Sequence, residues 1–563
     1  MYHDIPLRKK VITMLAVMAS LFLVALDQTI VSTALSAIVE EFNSFSSLSW
    51  VVTAYLLGST VTVPIAGKLS DLFGRRLILL IGIAVFTITS LFSGSAETIN
   101  QLIIARALQG VGGGIIMANA FTIIGDLFSP LERGKWQGFI GSAFAVASVA
   151  GPLLGGFLTD GHSLFGLETS WRWNFWLNVP LGIFAFLVVA IFSPKIKHDH
   201  KPIVDYLGAV FLTIALSSFI LAFDNTAQIF AGLIKDGFSL LFIKTSLFSL
   251  AALATVVFIF IEKRAEEPII PLEFFKNKTF SFVMIIATLF GSAFLGAIIY
   301  LTQFNMQVYG VSATKAGLML LPMIFALTIS STVVGMLVTK TGHYKNFFVW
   351  GLIMSTVGIY LLTFLGTETA YFVEAVIIVL IGLGLGTGMP IMNLIVQNEF
   401  EQRDLGVATA SSQLFRGLGS TIGVAVFGTM LSVGLSSGFN NINKAEYFNK
   451  IIDQPEVLQV VFEQGNTDAF VKLNSFEVKE KILENYKLKL DNSRLSSVEK
   501  TESLDNFSKL QTAFSTAVNE VFVDSLKPLF SMSAIFMFLA TLIGFSLKEK
   551  KLSDSVSAPG VEG

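Results

Sequence analysis

Fourteen apolar stretches, each about as long as a bilayer is thick, recur along this 563-residue chain. A spanning helix needs about 20 predominantly apolar residues, and only helices or closed barrels satisfy the backbone in lipid. The stretches do not alternate between apolar and polar residues, so we predict an all-α integral membrane protein. The predicted spans lie near residues 11–36, 50–66, 77–94, 99–124, 137–158, 174–193, 206–224, 240–261, 280–302, 316–339, 346–366, 371–396, 407–435 and 526–547.

Composition narrows the functional classes. Charged residues make up 14% of the chain, whereas about a quarter of a soluble domain is charged. A net charge of −2 without a basic cluster gives no sign of a nucleic-acid partner, and the absence of cysteine excludes disulfides and thiolate metal sites. The chain lacks a GxxxxGK[ST] phosphate loop, so we predict no ATP-driven chemistry, no enzyme and no cofactor. We expect no metal site. The polar loop that contains His198 and His200 is more simply interpreted as a solvated loop than as a weak metal-binding site.

Lysine and arginine mark alternate short loops, which by the positive-inside rule face the cytoplasm. Both termini are then cytoplasmic, and the basic N-terminal start is expected to be retained. The long polar segment 437–525 lies outside and has helical spacing in part. It is either a solvated insertion or a cap over the outer mouth. The basic loops carry Lys68, Arg75, Arg76, Arg133, Lys135, Lys195, Lys197, Lys201, Lys263, Arg264, Lys276, Lys278, Lys340 and Lys345.

An internal repeat relates the two halves of the chain. The stretch "GKLSDLFGRR" begins at Gly67 and "GMLVTKTGHYK" begins 268 residues later at Gly335, each with a second glycine seven residues on. Arg133 and Arg403, with their preceding glycines, repeat after 270 residues. Both copies of the first motif lie on predicted inside loops, which indicates parallel halves of six helices with two extra helices between them. The predicted units are 1–200 (six helices), 201–265 (helices 7 and 8) and 266–563 (six helices with the outer segment).

Six motifs occur in order along the chain: "LDQTIVSTAL", "GKLSDLFGRRLIL", "RALQGVGGG", "AGPLLGG", "WRWNFWLNVPLG" and "EKRAEEPIIPLEFF". Together they resemble the major facilitator superfamily, and within it the fourteen-helix drug:proton antiporters such as quaternary-ammonium and tetracycline efflux pumps. Ser32 and Ser36 depart from the usual Asn and Pro of the first motif, and Ala147 stands where the fifth-span motif often has Gly.

The resemblance implies a secondary active multidrug exporter of the plasma (inner) membrane, of the kind that confers antibiotic resistance. It would act as a monomer by alternating access, exchanging amphiphilic, often cationic, compounds for protons, with the proton gradient as its energy source. One alternative is an exporter or flippase of an endogenous lipid or amphiphilic metabolite. A more distant alternative is a receptor or scaffold that transports nothing.

A single carboxylate, Asp27, lies in the first apolar span, and Arg106 lies at a similar depth in the fourth. At about 1.5 Å per residue the two depths differ by roughly 5 Å, so the two side chains could meet. A charge at this depth is costly unless it faces protein or water. Three interpretations of Asp27 stay open: a proton or cation site, a structural partner of Arg106, or an acid exposed near the outer surface.

The loop between spans 2 and 3 is predicted to hold a conformational latch. A carboxylate near a helix N-terminus and beside arginines forms charge-assisted hydrogen bonds that a rocking motion can make and break. The alternative is a topology signal with a tight turn. In the second copy Thr339 replaces the acid, so we expect an asymmetric latch. The predicted latch residues are Gly67, Asp71, Gly74, Arg75 and Arg76.

Three further sets complete the predicted site. In span 5, the exporter motif supplies small residues for close packing or a kink; ordinary helix packing is the alternative. Arg416 either lines the cavity or has a structural role, and acids near span ends are secondary coupling candidates, expected mostly at the interface. The span-5 residues are Gly151, Pro152, Gly155 and Gly156. The predicted cavity residues are Gln28, Met117, Asn119, Phe144, Gln303, Asn305, Asn393, Gln413 and Arg416. The secondary acids are Asp160, Asp224 and Glu374.

Overall fold

The computed structural model describes residues 5–42, 48–159, 162–164, 166–194, 203–223, 226–439, 447, 451, 470–471 and 473–552. Fourteen helices within these ranges are long and apolar enough to cross a membrane, which confirms the predicted all-α membrane fold. Asp160, Asp224, His198 and His200 lie outside the described residues. The helices are α1 (Leu7–Phe42), α2 (Leu48–Phe73), α3 (Arg75–Gly94), α4 (Ile99–Leu127), α5 (Pro130–Thr159), α6 (Trp173–Trp176), α7 (Asn178–Phe192), α8 (Tyr206–Phe223), α9 (Thr226–Ile229), α10 (Ala231–Lys235), α11 (Leu240–Glu262), α12 (Lys278–Val308), α13 (Ala313–Met319), α14 (Leu321–Thr341), α15 (Lys345–Leu361), α16 (Tyr371–Glu399), α17 (Leu405–Phe439), α18 (Phe476–Asp491) and α19 (Ser497–Ser546).

Both ends of the described chain lie on one face of the helix bundle. Lys10, in the first turn of α1, lies 5.7 Å from the ring centroid of Phe128 in the α4–α5 turn. At the other end, the Leu552 amide donates to the Gly342 carbonyl at 3.1 Å, in the turn after α14. Leu131 of α5 lies beside Gly342 and joins the two regions. We call this side the terminal face and the other side the opposite face, where a two-stranded hairpin (Ser163–Leu164 and Leu167–Glu168) follows α5.

The first and last groups of spans meet mainly along two helix pairs. Helix α5 packs against α14, and α2 packs against α17. The pair α8 and α11 packs together, and α8 also contacts α2 and α17. The division into three units stays a prediction, but these contacts show which helices would carry a motion of one half against the other.

The segment before the last span differs from its prediction. The last span was predicted near 526–547, whereas the structure has one helix of 50 residues, α19, that begins at Ser497. Ser496 and Glu499 form a capping box at its start. No glycine or proline interrupts the chain between there and Pro528, so the helix continues into the span. Residues 497–525 are therefore an extension of the last span.

Contacts from the polar segment reach the end of α12 on the opposite face. The Asn474 side chain, which is fully buried, donates to Gln307 Oε1 at 3.4 Å and to Asn519 Oδ1 at 2.6 Å. Phe514 of α19 stacks on Tyr447, and the Phe507 ring is tilted against it. The described part of the segment thus contacts the end of α12 at Asn474.

Candidate functional site

The first copy of the repeat forms an ionic cluster between α2 and α17 at the terminal face. The Asp71 carboxylate accepts hydrogen bonds from the Gly406 amide at 3.2 Å and the Val407 amide at 2.9 Å, in the first turn of α17. Arg75 pairs with Asp71 and, through Nε at 2.9 Å, with Asp126. These side chains are nearly inaccessible to solvent. A carboxylate on unpaired amides at a helix N-terminus joins the two groups of spans electrostatically.

The glycines of both copies have the same two roles. Gly74 and Gly342 have φ values of 93° and 70°, which only glycine adopts without strain, and each ends a helix in a tight turn. A Cβ at Gly67 would meet α17, and one at Gly335 would overlap a backbone carbonyl of α5. Arg76 instead donates to a backbone carbonyl of α7 and stays within its own group of spans.

The second copy lacks the ionic cluster, as predicted from Thr339. The Thr339 hydroxyl accepts one hydrogen bond from the Lys135 amide at 3.2 Å. Beside it, Glu549 of the C-terminal tail accepts from the amides of Tyr344 at 2.8 Å and Lys345 at 3.0 Å, where α15 begins. Burial alone would raise the pKa of Glu549, but these amides and His343 hold it below its ordinary value. The tail therefore supplies the acid that the repeat does not.

A polar cluster that the sequence analysis did not assign closes the centre of the terminal face. Arg133 donates to the Gln397 carbonyl at 3.2 Å, and Gln137 donates to the Gln397 side-chain oxygen at 3.0 Å. Gln397 donates back to the Phe121 carbonyl at 3.0 Å. Arg403, the repeat counterpart of Arg133, is 80% exposed and pairs with acids of its own loop. Gln397 lies one residue beyond the predicted span 12, and an amide at that position was the available signal.

The motif before α12 ties the middle of the chain to α2. Glu267 pairs with Lys68 at the end of α2, with Nζ and Oε2 2.5 Å apart. Glu262, the last residue of α11, accepts from the amides of Ile269 at 3.2 Å and Ile270 at 3.4 Å. The two acids thus fix the path of the chain from α11 to α12 along the terminal face.

The acid of the first span is fully buried and fully partnered. Asp27 is 0% exposed, and its Oδ2 lies 2.6 Å from a guanidinium nitrogen of Arg106. Its Oδ1 accepts from Gln109 at 2.8 Å and Asn178 at 2.9 Å. This burial rules out the interpretation of an acid exposed at the outer surface. Three donors, one of them charged, stabilise the ionised form in this conformation.

A second layer orients these donors. The Ser90 hydroxyl accepts from Gln109 at 2.5 Å and from Asn178 at 3.2 Å. The Arg106 guanidinium lies 4.3 Å from the ring centroid of Tyr55, a cation–π contact. The sequence analysis missed these residues. Gln109 lies one turn from Arg106, and Asn178 lies within a quoted motif, so single polar residues inside apolar spans were the signal.

In the span-5 motif, one glycine makes a close helix contact and another does not. A Cβ at Gly151 would overlap the Thr29 side chain of α1, whereas one at Gly156 would meet nothing within 4 Å. Gly155 is buried, and the side chain of Pro152 lies outside the described part. Close packing of α5 on α1 is therefore assigned to Gly151.

The same contact is repeated in the second group of spans, which the sequence analysis did not predict. Gly419 of α17 lies against the backbone of Thr288 in α12, and Gly423 lies against Ser292. Gly419 follows Gly151 by the repeat offset of 268 residues. The signal was the offset itself, applied to "GLGSTIG".

The predicted cavity residues differ in their contacts and in their exposure. Gln413 donates to the Met117 carbonyl at 3.4 Å, which brings those two positions together across the halves. Asn119, Asn305 and Asn393 are buried, and Asn119 donates to its own helix. The partly accessible positions are Gln28, Phe144 and Arg416, and Gln303 is exposed.

Two charged candidates in the second group of spans have no counter-ion among the described residues. Arg416 is half-buried in α17, and no described acid faces it. Glu374 is 0% exposed, and neither carboxylate oxygen has a hydrogen-bond partner. Glu374 lies in the first turn of α16, near the span end where the sequence analysis placed it, and its side chain is buried in protein. Its neighbours are Asn305 and Tyr309 at the end of α12 and Tyr371 at the start of α16.

Comparison with known proteins identifies relatives over most of the chain. The model of the Major Facilitator Superfamily matches residues 17–424. The multidrug transporter protein MdtP of Bacillus subtilis (strain 168) is 37% identical over 425 residues, which cover 75% of this chain and 76% of that protein. Multidrug resistance protein 3 of the same organism is 36% identical over 417 residues, covering 74% of this chain and 78% of that protein.

Solved structures share the fold at low sequence identity. The human organic anion transporter MFSD10 aligns with a TM-score of 0.56 at 15% identity and covers 76% of this chain and 94% of its own. The proton:xylose symporter XylE aligns with a TM-score of 0.55 at 15% identity and covers 75% of this chain and 89% of its own.

Proposed function

The chain belongs to the Major Facilitator Superfamily of membrane transporters, and from that premise we propose that it exports amphiphilic, often cationic, compounds in exchange for protons. The terminal face would lie in the cytoplasm, as the basic loops predict. The relatives named as multidrug transporters support the substrate class. We further propose that it works as a monomer of the plasma membrane and takes its energy from the proton gradient.

The observation that carries the proposal is the fully buried pair of Asp27 and Arg106. A buried acid beside a buried base can be in one of two states, because a proton on the carboxylate removes its attraction to the guanidinium. Gln109 and Asn178 hold the ionised state, so a proton must compete with three donors. A change in helix packing that withdraws these donors would therefore leave the Asp27 carboxylate without partners and open to a proton.

The contacts at the terminal face support a proposal of alternating access. The Asp71 cluster and the Gln397 cluster close the terminal face in this structure. We propose that these contacts break when the protein opens to the cytoplasm and binds its substrate. Release of the proton from Asp27 on that side would reset the pair with Arg106.

One feature favours the alternative substrate, an endogenous lipid or amphiphilic metabolite. Helix α19 extends about 44 Å beyond its span on the opposite face, at 1.5 Å per residue over residues 497–525. A long helix continuous with a span could guide an acyl chain out of the bilayer. The test below therefore includes a labelled lipid as a second substrate.

The experiment measures uptake of a fluorescent cationic dye into everted membrane vesicles with an acid lumen. We expect the wild type to accumulate the dye, and Asp27→Asn to lose the response to the pH gradient. Glu41→Gln is the matched control: it is an acid on the same helix, largely exposed and paired with Arg172. That variant should retain gradient-driven uptake.

Two results would contradict the proposal. Unchanged gradient-driven uptake by Asp27→Asn would exclude its role in coupling. A wild type that ignores the pH gradient, tested with a sodium gradient in parallel, would exclude proton antiport. Transport of the labelled lipid without transport of the dye would favour the alternative substrate.

A further inference from the structure

A second buried acid, Glu374, lies in the first turn of α16 near the opposite face. Its side chain is fully buried, and neither oxygen accepts a hydrogen bond from any residue that the structure describes. Its polar neighbours are the Asn305 amide and the Tyr309 hydroxyl, both from the end of α12. An isolated buried carboxylate is so unfavourable that it either acquires a partner or becomes neutral.

The neighbours of Glu374 cannot neutralise a charge. The Tyr309 hydroxyl donates to the Thr369 carbonyl at 3.1 Å, so its proton is already engaged. Burial and the nearby Glu374 raise the pKa of Tyr309 above its ordinary value, so the phenol stays neutral. Tyr371 is the other titratable group facing this site, and within the described chain no basic side chain lies there.

Asn305, beside Glu374, also lacks hydrogen-bond partners for its side chain. It is fully buried, and both its amide nitrogen and its amide oxygen lack a partner among the residues described. A carboxylate has no proton to give to the Asn305 oxygen, whereas a protonated carboxyl group is a donor. One proton on Glu374 would therefore satisfy a buried acceptor and remove a buried charge at once.

We propose that Glu374 is a second proton-binding site, and that it holds its proton in this conformation while Asp27 is ionised. The proposal rests on the proton antiport described above and places a proton acceptor in the second group of spans. Asp27 has three donors, one of them a cation, whereas Glu374 faces no cation and neither of its oxygens accepts a hydrogen bond from a described residue. The two acids are thus expected in opposite protonation states.

The position of Glu374 sets the side from which it exchanges protons. It lies in the first turn of α16, whose far end carries Gln397 in the closed terminal-face cluster. Asn474 of the polar segment binds Gln307, which is close to Asn305 along α12. Glu374 therefore lies at the end of α16 away from the closed cluster, and we expect it to exchange its proton with the opposite face.

The test combines infrared difference spectroscopy with transport by the full-length protein. A buried protonated carboxyl group has a carbonyl stretch that a carboxylate lacks. We expect that band in the wild type at neutral pH, its loss in Glu374→Gln, and its persistence in Asp27→Asn. Glu399→Gln is the matched control, an acid at the other end of the same helix that accepts from Asn277 at 3.0 Å.

Transport separates a proton site from a merely structural residue. In everted vesicles, Glu374→Gln should lose the dependence of dye uptake on lumenal pH. Glu374→Asp should restore that dependence with a shifted pH profile, because it keeps a titratable group. Retained dye binding by Glu374→Gln, which matches the neutral acid in shape, would show that the protein is folded.

Each other outcome overturns the inference. An unchanged carboxyl band in Glu374→Gln would show that the residue carries no proton. Loss of the band with an unchanged pH profile would show that the proton is not coupled, and a sodium-dependent profile would replace the proton by Na⁺. If the wild type itself ignores the pH gradient, the antiport proposal fails, while the band still decides the protonation of Glu374.

Discussion

The two copies of the repeat at the terminal face share a backbone but not their charges. Gly67 and Gly335 both allow close helix contact, and Gly74 and Gly342 both form the turn. Only the first copy has a buried ionic cluster, whereas Thr339 of the second accepts a single hydrogen bond. Both copies therefore keep the backbone contacts and the turn, whereas only the first copy has buried ionic interactions between the two groups of spans.

The largest expected effect comes from breaking the ionic copy. Asp71→Asn leaves Arg75 with one fewer counter-ion and weakens the cap on α17. The population of the state in which the terminal face is open should therefore increase. Removing one partner of a buried pair costs about 3 kcal/mol, which changes the ratio of two states by about a hundredfold. The chain has no cysteine, so spin labels at Lys135→Cys and Lys340→Cys can report the distance between halves.

The control for Asp71→Asn is Asp505→Asn, which removes an exposed pair with Lys509. That substitution should leave the label distances unchanged, because exposed pairs contribute at most about 1 kcal/mol. Equal distance distributions for Asp71→Asn and the wild type would show that the cluster does not hold the closed state.

The next effect tests the shared backbone. Gly67→Ala and Gly335→Ala each place a methyl group against the facing helix, and overpacking costs about 1–3 kcal/mol. Both should open the terminal face to a similar degree, because the two contacts are related by the repeat. Gly317→Ala, where a Cβ would meet nothing within 4 Å, is the control. A shift for only one of the two would disprove their equivalence.

A smaller effect is expected at the second copy. Thr339→Val removes the acceptor for the Lys135 amide and should favour the open state by about 1 kcal/mol, roughly fivefold. Thr341→Val is the matched control, because that hydroxyl is exposed and bonds within its own turn region. An effect of Thr339→Val as large as that of Asp71→Asn would contradict the asymmetry.

The smallest effect concerns the tail. The pKa of Glu549 is held low, so its clasp on α15 is complete above the ordinary carboxyl pKa of about 4.3 and is lost as pH falls through the lowered value. A spin label at Lys551→Cys should become mobile in that acid range. Glu549→Gln should make the label mobile at every pH, and a label that stays immobile in this variant would exclude the clasp.

Patterns of single residues predicted the spans, the repeat and the latch. Local chemistry decides each of these: apolar length selects a span, and glycine at positive φ selects the turn at Gly74. The start of the last helix was harder to predict. Helix α19 continues from a polar stretch into an apolar one without a helix breaker between them. Helix continuity depends on backbone propensity, whereas the predicted boundary followed hydropathy.

The partners of the predicted site residues depended on long-range contacts. Asn178 and Asp27 are 151 residues apart, and Tyr344 and Glu549 are 205 residues apart. Each such residue is a polar residue within or beside an apolar stretch. The sequence can identify it as unusual, but it does not show which distant residue it contacts. Glu374 shows the limit best, because its position near a span end did not reveal that its side chain is buried without a hydrogen-bond partner among the described residues.

The sequence by itself determined the membrane fold, the internal repeat with an acid in only one copy, and the presence of one acid and one arginine at similar predicted depth. These follow from the composition and the spacing of residues along the chain. Only the tertiary structure decided that Asp27 is fully partnered and that Glu374 has no partner among the described residues. Those differences arise because the energy of a charge depends on what surrounds it in space, and neighbours in space are set by the fold.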